Sequence, residues 1–176
     1  MKYSKFIAMI ISSTIAMFLM MYLNTYAISH VWFSETRSYM ALYMGAVMAI
    51  IMLAFMLGMY NNKKLNITIF LLAAVLFAVS LYLVRSQSTV SDTAYMKAMI
   101  PHHSIAILTS ERSNIEDVRV RELANEIIKA QRKEIKEMEW LIKDISENGK
   151  VMSQGESEQR PIPKFKGKLN QGESNE

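Results

Sequence analysis

The sequence predicts an all-α protein with three transmembrane helices, an extracytoplasmic two-helix hairpin and a disordered carboxy-terminal tail. Three observations lead to this prediction. Long apolar runs without a charged residue fill the first half of the chain, charged segments with helical periodicity follow, and Glu, Gln, Ser, Gly and Lys dominate the end. The predicted domains are residues 1–84, 85–149 and 150–176.

The transmembrane helices are predicted from the three apolar runs Phe6–Tyr26, Tyr39–Tyr60 and Leu65–Val84. Each run reaches the ~20 residues that a bilayer crossing requires. The first run could also belong to a signal peptide, because Thr25-Tyr26-Ala27 loosely resembles a cleavage site. It is longer than the usual apolar core of ~7–15 residues, so we expect a retained anchor.

Basic residues flank the apolar runs unequally, and this predicts the orientation of the chain. Lys2, Lys5, Lys63 and Lys64 lie on one side, and Arg37 and Arg85 lie on the other. Lysine and arginine accumulate on the cytoplasmic side of membrane proteins. We therefore expect a bacterial inner (plasma) membrane protein with a cytoplasmic amino terminus and a periplasmic or extracellular domain after Val84.

The formal net charge of +4 does not indicate a nucleic-acid partner. The excess of basic residues lies around the apolar runs, and from Arg85 to Ile145 basic and acidic residues are equal in number. A nucleic-acid surface would need the excess in the folded domain. The chain also has no cysteine, which excludes disulfides and thiolate metal sites.

The first helix of the hairpin is predicted from Asp92 to about Ser110. Pro101 removes a backbone donor, so it should kink this helix or begin its second part. One face has residues at spacings of three and four: Met96, Met99, His103 and Ala106. His102 lies at the edge of that face.

The second helix is predicted to begin at Ser113, because Glu116 stands at the spacing of a capping box, and to end at Asn148-Gly149. Its apolar stripe is interrupted at the centre by Gln131 and Glu134. Two helices bury too small a core to be stable alone. We therefore expect a homodimer or a higher oligomer, in which two hairpins form a four-helix bundle.

Histidine and methionine side chains converge on this hairpin and predict a copper site, with Cu(I) as the expected ion. Thioether and imidazole groups suit that ion. The predicted ligands are His102, His103, Met99, Met96 and Met138, and the predicted supporting residues are Gln131, Glu134 and Asp92. The alternative is structural: the histidines hydrogen-bond or face solvent, and the methionines fill the core.

The hairpin resembles the domain of unknown function 305 family from Asp92 to Ile145. The most specific segments are Met99-Ile-Pro-His-His103 and Gln131-x-x-Glu-Ile-x-x-Met138. The resemblance implies a ferritin-like helical bundle in the cell envelope and, as in some members, copper binding through His and Met. Longer members have two hairpins where this chain has one, and here three apolar runs precede it.

The second apolar run carries methionines at a strict spacing of four: Met40, Met44, Met48, Met52 and Met56. This row is similar to the second span of eukaryotic copper transporters, which suggests a metal permease. The third run lacks the glycine motif of those transporters. Methionine as an adaptable packing residue is the alternative.

These patterns predict a membrane-anchored extracytoplasmic protein that buffers, senses or delivers copper. Its expected partners are the lipid bilayer, a second copy of the chain and copper-handling proteins. The alternative is a structural or protein-interaction module of the envelope that binds no metal. We expect no catalysis, because the Glu-x-x-His pairs of di-iron bundles and the nucleophile motifs of hydrolases do not occur in the sequence.

Overall fold

The computed structural model describes residues 2–169, which form helices and no strand. This confirms the predicted all-α class. The helices are α1 (Tyr3–Met20), α2 (Glu35–Phe55), α3 (Lys63–Ser86), α4 (Asp92–Arg112), α5 (Val118–Asn148) and α6 (Gln154–Gln159). Short 3₁₀ turns occupy Ile28–His30 and Leu57–Met59.

The first three helices are long and apolar enough to cross a membrane. Their ends differ from the predicted spans, because helix α1 stops at Met20 although apolar residues continue beyond it. Helix α2 begins earlier than predicted, where Ser34 Oγ accepts a hydrogen bond from the Arg37 backbone N–H. Helix α3 is capped in the same way, since the Asn62 side chain accepts from the N–H of Leu65.

The chain forms two compact units, and the first contains α1, α2 and α3. It comprises the described chain up to Leu23 together with Ser34–Val90. Helix α2 packs against both of the other helices. A buried cluster of Phe6, Ala49, Leu53, Tyr60 and Ala73 forms the core of the unit.

At one end of this unit, Arg37 joins the end of α1 to the start of α2. Its guanidinium donates a hydrogen bond to the carbonyl oxygen of Met21. It also lies 4.4 Å from the centre of the Tyr22 ring, which is a cation–π distance. The buried arginine therefore satisfies a carbonyl that the end of α1 leaves unpaired.

The second unit consists of the hairpin α4–α5, the described chain after it, and the loop Asn24–Phe33. The core of the hairpin is formed by Ile100, Ile107 and Ile135. Tyr26 and Trp32 of the loop pack against these isoleucines. A segment that the sequence places between two apolar helices therefore forms part of the hairpin's core.

The turn of the hairpin differs from the prediction. Helix α4 continues to Arg112, and Ser113 caps its end by donating a side-chain hydrogen bond to the Thr109 carbonyl at 2.6 Å. Helix α5 begins at Val118 with Asp117 as its cap. The predicted capping box at Ser113 was wrong, because that hydroxyl is engaged by the preceding helix.

Pro101 and the Asn148-Gly149 pair were also predicted to shape the two helices of the hairpin. Pro101 lies inside α4, which is continuous, so it does not begin a separate helix. The end of α5 falls at Asn148 as predicted, with Gly149 following at a φ of 77°. That left-handed backbone angle favours glycine.

The segment predicted as a disordered tail contains helix α6 and several contacts as far as residue 169. Arg160 donates hydrogen bonds to the carbonyls of Asn148 and Gly149, at 3.1 Å and 2.6 Å. The Arg160 Nε atom lies 3.1 Å from a carboxylate oxygen of the buried Asp144. Arg160 therefore holds this segment at the end of α5. The rest of the predicted tail, residues 170–176, lies outside the described residues.

Candidate functional site

The two adjacent histidines of α4 have different surroundings. The His103 side chain is 15% exposed, whereas His102 is exposed to solvent. Their ring centres are 6.4 Å apart. Successive residues of an α-helix point ~100° apart, so only one of them can face the neighbouring helix. His103 is therefore the histidine that belongs to the interior of the hairpin.

His103 is paired with Glu134 of helix α5. The His103 Nδ1 atom lies 3.0 Å from Glu134 Oε2, and the oxygen is off the line of an aligned hydrogen bond. Burial lowers the pKa of His103, and the nearby Glu134 carboxylate opposes this effect only in part. A pKa below the usual value of about 6.5 favours the neutral ring at pH 7. A neutral imidazole whose Nδ1 faces a carboxylate has its Nε2 atom available for a metal ion.

The register of the hairpin brings two methionines to the same level. Met99 is one helical turn before His103, and Met138 is one turn after Glu134. Because the helices run antiparallel, the His103–Glu134 contact places both methionines on the next turn of the hairpin. Met99 and Met138 are each half-buried, and Met138 packs against the isoleucine core.

Two of the other predicted residues, Met96 and Asp92, lie farther from His103 along α4. Met96 is 6% exposed and two turns away, about 10 Å along the helix. Gln131 is half-buried one turn before Glu134. Asp92 is about 16 Å from His103 along α4. Its carboxylate lies 2.5 Å from Lys150 Nζ, which lowers the pKa of Asp92.

Asp92 therefore does not reach the histidines, although the helical periodicity places it on their face. Within residues 2–169, no group of three or more His, Cys, Asp or Glu side chains is arranged to hold a metal ion. A metal ion held at His103 in this part of the chain would need ligands of another type as well, such as methionine sulfur. The candidate site therefore spans two adjacent turns of the hairpin, with His103 and Glu134 on one turn and Met99 and Met138 on the next.

The contact between the loop Asn24–Phe33 and α4 is not predicted by the sequence patterns. The fully buried Ser104 hydroxyl accepts a hydrogen bond from the Tyr26 backbone N–H at 2.7 Å. The same oxygen lies 2.9 Å from His30 Nδ1. The sequence does offer one signal for this contact. The loop contains Tyr26, Trp32 and Phe33, and large aromatic side chains are usually buried against another part of the protein.

Burial lowers the pKa of His30, and the positive charge of Arg132 lowers it further. The unfolded chain therefore binds a proton more readily than the folded chain. The neutral His30 ring therefore contributes fully to the stability of the fold above about pH 6.5. This contribution is lost as the pH falls through the folded-state pKa of His30.

We expect the unfolding midpoint of the protein to decrease when the pH is lowered from about 7 to about 5. In the variant His30→Gln this decrease should be smaller, because one group that resists protonation is gone. Thermal unfolding followed by circular dichroism at several pH values measures the effect. His102→Gln, a change at an exposed ring, is the matched control. An unchanged pH dependence in His30→Gln would contradict the prediction.

Arg132 of α5 links three parts of the second unit. Its guanidinium pairs with the Glu111 carboxylate at the end of α4 and lies 5.6 Å from the centre of the Tyr26 ring. It also donates hydrogen bonds to the carbonyls of Lys168 and Leu169. The Arg132 side chain is 12% exposed. One half-buried cation therefore contacts the loop, the hairpin and the following chain.

The fold and the site define a class: an α-helical hairpin with a half-buried His–Glu pair and flanking methionines, preceded in the chain by three apolar helices. The chain belongs to the family described as Domain of unknown function (DUF305), whose model matches residues 83–173. This confirms the resemblance and extends it on both sides of the segment from Asp92 to Ile145.

An uncharacterized protein of Acanthamoeba polyphaga mimivirus is 30% identical over 95 residues, which cover 53% of this chain. The match spans 62% of the length of that relative. No solved structure matches the chain.

Proposed function

We propose that the protein is a membrane-anchored Cu(I)-binding protein whose hairpin buffers, senses or delivers copper outside the cytoplasm. The observation that carries the proposal is the His103–Glu134 pair at 3.0 Å. It presents a half-buried imidazole one helical turn from Met99 and Met138. Imidazole and thioether are the groups that suit Cu(I), and a carboxylate beside a histidine commonly orients it for a metal.

The membrane anchoring is supported by the length and composition of α1, α2 and α3. The proposed orientation follows from the four lysines near the starts of α1 and α3, which favour the cytoplasmic side of the bacterial inner membrane. The hairpin then lies in the periplasmic or extracellular space. Methionine requires no deprotonation to bind a soft ion and forms no disulfide, so a methionine-rich site suits an oxidising compartment.

A second function is supported by the packing of the methionines. Met96 is buried, and Met138 contacts the isoleucine core of the hairpin, as core residues do. The hairpin would then be a structural or protein-interaction module that forms a homodimer or binds an envelope protein. In this function His103 and Glu134 stabilise the hairpin without a metal.

A third function, metal permeation through α2, has less support. Four of the five regularly spaced methionines lie in α2, and the fifth, Met56, directly follows it. All five are half-buried, and Met52 and Met56 pack against the core of the first unit. Side chains in such contacts fill space between helices. Our proposal assigns the protein neither permeation nor catalysis.

The proposal is tested by competition between the purified full-length protein and a Cu(I) chelator. We expect the wild type to take Cu(I) from the chelator at about one ion per chain. Replacing both His102 and His103 by alanine should remove most of this binding while the helical signal in circular dichroism persists. Unchanged Cu(I) affinity in the double variant would refute the copper proposal and favour the interaction module.

A further inference from the structure

Four exposed lysines lie together at one end of the first unit: Lys2, Lys5, Lys63 and Lys64. Tyr3 brings them together, because its hydroxyl donates to Asn66 Oδ1 at 2.7 Å and lies 3.3 Å from the Asn62 carbonyl oxygen. The start of α1 is thereby fixed beside the start of α3. We call this group the lysine end.

Within residues 2–169, no carboxylate pairs with the lysine end. The one acidic residue in the sequence of this unit is Glu35, which lies at the opposite end of α2. The lysine end therefore carries four positive charges that the described part of the chain does not neutralise.

The local helix geometry adds to this positive potential. Helices α1 and α3 both begin at the lysine end, and neither has an acidic residue in its first turn. The N-cap of α1, Lys2, makes no side-chain capping hydrogen bond. Lysine is unfavourable beside the positive end of a helix dipole, so these lysines do not serve the helices themselves. An anion at this position would be stabilised by the lysine side chains and by the positive ends of the α1 and α3 dipoles.

An apolar groove begins next to the lysine end. It has a volume of about 480 Å³ and lies between α1 and α3, with α2 as its floor. On α1 it extends from Phe6 to Ile15, which is about 14 Å. On its floor, Gly45 lets α1 approach α2 closely, because a Cβ atom there would clash with the Thr14 side chain.

We propose that the first unit binds an anionic phospholipid, with the headgroup phosphate at the lysine end and an acyl chain in the groove. Phe6, the first groove residue on α1, directly follows Lys5, so one molecule can reach both features. Free phosphate would use the lysines but leave the apolar groove without a ligand. This proposal rests on the membrane location proposed above.

Native mass spectrometry of the full-length protein in detergent tests the site. The probes are phosphatidylglycerol and phosphatidylcholine with identical acyl chains, added in equal amounts, and inorganic phosphate. We expect the wild type to retain phosphatidylglycerol about tenfold better than phosphatidylcholine, since each lysine near a membrane surface favours anionic lipid. Excess inorganic phosphate should displace little of it.

Two matched variants separate the site from net charge. The first replaces the four lysines of the lysine end by glutamine and should retain both lipids equally. The second makes the same change in net charge at exposed lysines of the other unit: Lys129, Lys136, Lys164 and Lys166. It should keep the preference of the wild type. All replaced side chains are exposed, so both variants are expected to fold.

Three results would overturn the proposal. These are equal retention of the two lipids by the wild type, an unchanged preference in the first variant, and displacement of the lipid by inorganic phosphate alone. If the lipid site is refuted, the result of the Cu(I) titration is unaffected, because the histidines lie in the other unit. Failure of the protein to insert into vesicles of either lipid would instead overturn the membrane anchoring, and this site with it.

Discussion

Replacing Arg132 by alanine is expected to destabilise the second unit by about 2 kcal/mol, within the range for losing hydrogen bonds to a charged group. The Glu111 carboxylate, which is 26% exposed, would lose its cation. The carbonyls of Lys168 and Leu169 would lose their donor as well. Chemical unfolding of the full-length protein followed by circular dichroism measures the change.

Arg119→Ala is the matched control, because Arg119 also pairs with an acidic residue. Its side chain is 89% exposed and lies 2.6 Å from Asp117. Exposed ion pairs contribute roughly 0–1 kcal/mol, so this variant should unfold almost as the wild type does. If the two variants unfolded at the same denaturant concentration, Arg132 would not hold the second unit together.

Replacing His103 alone by alanine is expected to weaken Cu(I) binding by more than about 100-fold, beyond the ~10–100-fold typical of a supporting residue. His102→Ala should have a smaller effect, because His102 is exposed and points away from the neighbouring helix. Glu134→Gln should weaken Cu(I) binding by about 10–100-fold, which is typical of a supporting residue. The measurement is competition with a Cu(I) chelator for each variant.

Leucine is the appropriate replacement for the methionines, since it keeps the volume and removes the sulfur. Met99→Leu and Met138→Leu should weaken Cu(I) binding and leave the unfolding midpoint nearly unchanged. Met96→Leu is the control, because Met96 lies two turns from His103. Zn²⁺ binding should respond less to these changes, as Zn²⁺ prefers imidazole and carboxylate. Equal effects of all three leucine variants on Cu(I) would contradict the proposed ligand set.

The sequence by itself determined the helical class and the main elements. The apolar runs are long and free of charge, so they predict three long apolar helices whatever surrounds them. The pairing of His103 with Glu134 was partly predictable, because periodicity places each residue on an inner face of its helix. The family membership also followed from the short motifs around His103 and Met138 and is confirmed over residues 83–173.

Axial distances and competing hydrogen bonds were decided by the tertiary structure. Periodicity reports an angle around a helix and not a position along it, so it grouped Asp92 with His103 although about 16 Å separate them. The Ser113 hydroxyl had two available roles, and its bond to Thr109 of the preceding helix excluded the predicted capping box.

Packing between distant parts of the chain also required the tertiary structure. His30 and Ser104 are 74 residues apart in sequence, and no local pattern reports that they meet. The sequence does not distinguish Arg132 from the other charged residues of α5. The structure places it in contact with Glu111 and Tyr26. Side-chain periodicity reveals which face is buried, whereas the partner that buries it depends on how the whole chain folds back on itself.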